Sequence, residues 1–121
     1  MICRRDLFAA VLGLAVIAAP AAAFAGNPHV EAAVRETKEA IHEGKQHMFS
    51  SFAEHTHNAL DHAREALAQG VDPRKHVSTA VTHLRDALKV AKRTHSTHRL
   101  GVGISHAERA LTHLKVAANE H

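Results

Sequence analysis

The chain has 121 residues, a formal net charge of +3 with histidines neutral, 13 histidines and a single cysteine. That length suits one domain, and a lone cysteine, Cys3, excludes an internal disulfide or a thiolate-rich metal site. Charges of both signs are interleaved and aromatics make up only 3%, which leaves little for base stacking and argues against nucleic acid as a partner.

Residues 1–25 have the build of a cleavable secretory signal: a charged start with Arg4 and Arg5, an apolar run from Leu7 to Ala19, then Pro20 and small residues. Cleavage after Ala23-Phe24-Ala25 leaves Gly26 as the first mature residue. A membrane anchor needs about 18 or more apolar residues, and Leu7 to Ala19 is shorter. Arg4-Arg5-Asp6-Leu7-Phe8 resembles a twin-arginine signal, and the general export route remains equally open. Cys3 leaves with the signal, and the loss of Arg4, Arg5 and Asp6 lowers the net charge from +3 to +2. An exported protein is expected, monomeric and without a membrane partner once the signal is gone.

Residues 26–121 show helical periodicity throughout and no strand pattern. The first helix is predicted over Pro28 to Glu43, with Asn27 as N-cap and Gly44 as its stop. Val30, Ala33, Val34, Ala40 and Ile41 form its apolar stripe. A second helix runs from about Gln46 or His47 to Gly70, burying Phe49, Phe52, Ala59, Leu60, Ala63, Ala66 and Leu67. Asp72 caps a third, opened by Pro73 and ending near Arg93, whose stripe is Val77, Ala80, Val81, Leu84, Ala87, Leu88 and Ala91. After a polar connection over Thr94 to Thr97, the fourth extends from about His98 to Asn119. Gly101 and Gly103 weaken its start by about 1 kcal/mol each. The fold class is all-α, an antiparallel up-down four-helix bundle with one helix per repeat.

The repeat has a histidine, an apolar pair four and five residues on, a second histidine at the seventh position, then an acid and another apolar pair. It runs His55, Ala59-Leu60, His62, Glu65, Ala66-Leu67 in the second helix. The third carries His76, Ala80-Val81, His83, Asp86, Ala87-Leu88, and the fourth His106, Ala110-Leu111, His113. The first has His29, Ala33-Val34 and Ala40-Ile41, with Glu36 in place of the second histidine. At 3.6 residues per turn, with His55 at 0°, the apolar residues lie between about 20° and 140°, His62 near −20° and Glu65 near −80°. The histidines border the apolar stripe.

A border position recurring in register points to ligation. His55 and His62 stand roughly 10 Å apart along the axis and cannot share an ion whose bonds to imidazole are about 2.0–2.1 Å. Each therefore needs partners, either on the facing helix or three residues on, as with His62 and Glu65 or His83 and Asp86. His42, His47 and His98, with His95, cluster near helix ends, where mobile backbone implies weaker sites. His57 pairs with Asp61 on the outer face, and His121 is a bystander. An imidazole and carboxylate set suits divalent ions, with Cu(II) tightest and Ni(II) or Zn(II) behind it. Catalysis is not expected: Glu39 with His42, and Glu54 with His57, have di-iron spacing, but Glu39, Glu54 and His57 lie on the side away from the apolar stripe. The alternative is a structural or adaptor bundle whose histidines sense acid.

His29-Val-Glu-Ala-Ala-Val, His83-Leu-Arg-Asp-Ala-Leu and His106-Ala-Glu-Arg-Ala-Leu-Thr-His-Leu resemble the repeats of the small metal-binding protein family, as do the Gly44-Lys45 turn and the His-ending tail. The resemblance implies a periplasmic, histidine-rich four-helix bundle that scavenges or buffers several divalent ions, copper foremost. It points to His29, His42, His47, His55, His62, His76, His83, His98, His106 and His113 as ligands. Glu36, Ala68 and Lys89 stand where the family carries or often carries histidine, which implies fewer ions than in its relatives.

Overall fold

A computed structural model describes residues 26–93 and 95–119; the expected signal over 1–25 and His121 lie outside the described residues. Four α-helices make up the fold: α1 Pro28–Lys45, α2 Phe49–Ala68, α3 His76–Arg93 and α4 Thr97–Asn119. No strand occurs among the described residues, and no described helix is long and apolar enough to cross a membrane. Packing is most extensive within the pairs α1–α2 and α3–α4, and α1–α4 and α2–α3 contacts close the four into a ring.

The core is built largely of alanine. Ala33, Ala59, Ala63, Ala66, Ala80 and Ala110 are fully buried, interleaved with Val30, Leu60, Val77, Leu84 and Leu114. Small side chains let helix axes approach, because the interaxial distance of about 8–10 Å is set by the residues at the contact. That approach is what brings residues bordering the stripe within reach of each other. The buried positions include two that are polar: Thr37 and Thr56, which donate to the carbonyls of Ala33 (2.7 Å) and Phe52 (2.6 Å) one turn back. This local bonding satisfies the hydroxyls and lets threonine stand in an apolar stripe.

Gly44 does not stop α1. It is a buried residue inside the helix, and a Cβ there would come within 2.9 Å of both Phe52 and Ile104. On α4 a Cβ at Gly103 would lie 3.2 Å from the same ring. Phe52, 0% exposed, thus occupies a hollow left by two glycines, and α4 runs unbroken through Gly101 and Gly103.

The stop comes later. His47 has φ 62°, its N–H donates to Gly44 O, and Met48 N–H donates to Glu43 O. Those two bonds, with a left-handed residue between, form a Schellman motif. The same pattern ends α2, where Gly70 (φ 79°) donates to Leu67 O and Val71 to Ala66 O.

Pro73 opens a short 3-10 turn, Pro73–Lys75, rather than α3 itself. Arg74 and Lys75 have positive φ, so regular helix begins only at His76. Asp72 still caps it from across that turn, accepting a 3.0 Å bond from Ser78 N–H.

Candidate metal centre

Asn27 sets the first groove. Its Oδ1 accepts hydrogen bonds from the N–H groups of His29 (2.9 Å) and Val30 (3.2 Å), satisfying two donors that the helix cannot. His29 is thereby held in the first turn of α1. Across the groove, its Nδ1 lies 3.3 Å from Nδ1 of His62 on α2, with ring centroids 5.6 Å apart. Seven residues forward on α1 and seven back on α2, Glu36 Oε2 accepts a 2.7 Å bond from Nδ1 of His55.

The α3–α4 groove repeats this ladder with imidazole at every position. Nδ1 of His76 and Nδ1 of His113 are 2.9 Å apart. Seven residues along each helix, His83 faces His106 with ring centroids at 6.1 Å, and His83 also stacks on His113 at 5.8 Å and 14°. Nδ1 of His83 and Nδ1 of His106 are both buried and have no hydrogen-bond partner. A buried polar nitrogen left unpaired costs about 1–3 kcal/mol.

Protonation separates the grooves. The hydrogen bond to Glu36 raises the pKa of His55, burial works against it, and the charges of Glu36, Glu39 and Glu54 add to the rise. Burial lowers the pKa of His83, helped by His113, His106 and Arg109, with Asp86 opposing. His83 therefore remains neutral, the form that ligates metal, to lower pH than an ordinary histidine. Its environment asks for a partner other than a proton.

Donor spacing suits a metal ion. With bonds of about 2.0–2.1 Å, two imidazole nitrogens on one ion stand about 2.9 Å apart when cis in a square plane and about 3.3 Å apart in a tetrahedron. The Nδ1 separations are 2.9 Å for His76–His113 and 3.3 Å for His29–His62. As they stand, one ring N–H donates to the other ring nitrogen. Moving that proton to Nε2 of the donor ring, a change of tautomer, leaves two neutral acceptors at ligand spacing. Among the described residues no three histidine, aspartate or glutamate side chains form a group that could hold an ion, so each level offers two protein donors.

The other predicted residues are placed differently. Glu65 is exposed and Asp86 partly covered, and neither bonds to the histidine three residues before it. His62 turns to His29, and His83 to His106 and His113. His42 and His47 are exposed; Nε2 of His42 meets Nε2 of Gln46 at 3.0 Å. His98 lines a cleft with Lys89, Arg93 and Arg99, whose fixed charges oppose a cation. His57 pairs with Asp61 at 3.3 Å on the surface. Glu39, His42, Glu54 and His57 are all exposed.

Which border residues meet was not legible from spacing within one helix, and neither was the contact of His95 with Phe49, centroids 5.8 Å apart. Matching the repeats in reverse order on neighbouring helices is the signal that pairs His29 with His62 and His76 with His113.

No similar sequence is found among curated proteins. The family described as small metal-binding protein matches residues 4–117, nearly the whole chain. With its imidazole-lined grooves and this match, the chain belongs to the small metal-binding protein family.

Proposed function

We propose that the protein is an exported, periplasmic, monomeric binder of several divalent transition ions, Cu(II) before Ni(II) and Zn(II), that scavenges or buffers them without catalysis. The observation that carries this is the pair of buried, unbonded Nδ1 atoms of His83 and His106, set beside a His76–His113 pair at ligand spacing. Donors of nitrogen and oxygen without thiolate favour Cu(II) by the Irving–Williams order. Two protein donors per level leave further positions to water or small ligands, which suits reversible uptake better than a closed structural site. We take the four helices as an up-down antiparallel bundle. In support, the paired residues step forward on one helix and backward on the next, from His29–His62 to Glu36–His55 and from His76–His113 to His83–His106.

Cu(II) titration of the purified protein at neutral pH, followed by calorimetry and by the visible absorption of the bound ion, tests the reading. Two or more ions taken up at micromolar affinity or better are expected. Uptake of fewer than two sinks it.

The Glu36–His55 ion pair favours a second reading, an adaptor bundle that responds to acid. That reading expects association which depends on pH and ignores chelators, and sedimentation at pH 5.5 and 7.5 with and without EDTA distinguishes the two.

A further inference from the structure

The α3–α4 histidine ladder gives way, at the next step, to a cleft of opposite chemistry. Seven residues beyond His83 on α3 stands Val90, and seven before His106 on α4 stands Arg99. With Lys89, Arg93, His98 and Val102 they line a cavity of about 560 Å³ that has no acid in its wall. None of Lys89, Arg93 and Arg99 forms an ion pair with a described acid. A second cavity of about 280 Å³ shares Lys89 and adds Arg64, Arg85 and Lys92. Along α3 as a whole, Arg85, Lys89, Lys92 and Arg93 are opposed by Asp86 alone.

Unpaired cations gathered in one concavity repel one another and focus a positive potential into it. His98 and Arg99 sit in the first turn of α4 and Val90 and Arg93 in the last turn of α3, so the two helix dipoles oppose each other there and the positive charge of the cleft is that of its side chains. The wall also contains the half-covered Val90 and the exposed Val102. Small-ligand sites combine such apolar surface with a few convergent polar groups in volumes of about 300–1,000 Å³.

We propose that this cleft is a binding site for a small multivalent oxyanion. Arg93 and Arg99 supply forked donors that match phosphate or carboxylate oxygens, Lys89 supplies a third charge, and Val90 and Val102 form the apolar wall. The site is separate from metal uptake: three fixed positive charges that draw an anion repel an ion such as Cu(II). A concavity of this size favours a compact anion over an extended anionic surface.

Calorimetric titration of the metal-free protein with tripolyphosphate and with citrate, at low ionic strength, is the test. Saturable binding at one ligand per chain is expected, weakening as salt is added. The Arg93→Gln/Arg99→Gln variant weakens it by about tenfold or more, the loss of one or two charge-assisted hydrogen bonds. Arg35→Gln/Lys38→Gln, which removes the same charge from the exposed side of α1, leaves affinity within about twofold. Amide chemical shifts of the wild-type protein locate the ligand without any substitution, and changes centred on residues 89–102 support the site. Equal weakening by both variants overturns the proposal, as do shift changes spread over the surface or no binding of either anion at millimolar concentration. Binding to vesicles containing an anionic phospholipid, with neither small anion bound, also overturns it and assigns the face to a membrane surface.

Discussion

Nδ1 of His83 on α3 and Nδ1 of His106 on α4 are both buried and both without a hydrogen-bond partner, their rings 6.1 Å apart across one groove. The folded chain keeps two polar nitrogens out of water and leaves them unsatisfied. That arrangement stores a cost which an ion bound at this level, as proposed above, would relieve.

Replacing His83 and His106 together by leucine is therefore expected to stabilise the metal-free protein, by about 1 kcal/mol or more, since unpaired buried groups are exchanged for apolar ones. The same variant loses the copper-induced stabilisation that arises at this level. Urea denaturation with EDTA and with saturating Cu(II) checks both halves. A metal-free double variant less stable than wild type would show that these rings are packed for stability.

Copper itself is expected to raise the melting temperature, because an ion held only by the folded grooves stabilises by mass action. At a free concentration of 100 times Kd the gain is about 2.7 kcal/mol per site. EDTA returns the transition to its starting point. Calorimetry that finds no shift at saturating Cu(II) would place the ions outside the folded grooves.

The two grooves respond to pH with opposite sign. His55 has its folded pKa raised above 6.5, chiefly by Glu36, so its contribution is fully present below the unfolded value and fades as pH rises through the folded one. His83 has its folded pKa lowered by burial, so its contribution is present above 6.5 and fades as pH falls through the folded value. Glu36→Gln removes the first effect and leaves the second. The stability difference between wild type and Glu36→Gln, measured in EDTA, is expected to be fully present below about pH 6.5 and to fade as pH rises through the raised folded value of His55. It shrinks toward pH 8. A difference that grows with pH contradicts the ion pair.

Gly44 and Gly101 provide a matched pair. Alanine at Gly101 meets nothing within 4 Å and is expected to stabilise by about 1 kcal/mol through helix propensity. Alanine at Gly44 drives a methyl to 2.9 Å from Phe52 and Ile104, and overpacking of about 1–3 kcal/mol outweighs the same propensity gain. Urea midpoints of the two variants should move in opposite directions. If both rise, Phe52 has room to move.

His47, left-handed at φ 62°, takes the place that glycine usually fills at a helix end. His47→Gly is expected to stabilise the metal-free protein by about 1 kcal/mol, the approximate left-handed penalty of a side chain. A loss of stability would mean that the imidazole makes contacts worth more than that penalty.

How much was legible in the sequence depended on range. Helical repeat is a property of each segment, so the stripes of Val30, Leu60 and Leu84 and the histidines bordering them could be located from spacing. Gly70 marks the end of α2 for an equally local reason, as it takes the positive φ that the motif requires. Gly44 has the same appearance in sequence but a different cause, because its missing side chain makes room for a ring eight residues away on another helix. Thr37 is similar: its polarity hid a core position that its bond to Ala33 O makes affordable.

The grooves follow the same division. Sequence alone determined that His29, His55, His62, His76, His83, His106 and His113, with Glu36, stand at the edge of an apolar stripe, because 3.6 residues per turn places them there. Only the tertiary structure decided their partners. Those depend on which helices adjoin and in what register, set by contacts such as Phe52 in the hollow of Gly44 and Gly103. From that register come a Glu36–His55 ion pair in one groove, four imidazoles in the other, and two nitrogens, on His83 and His106, still without a partner.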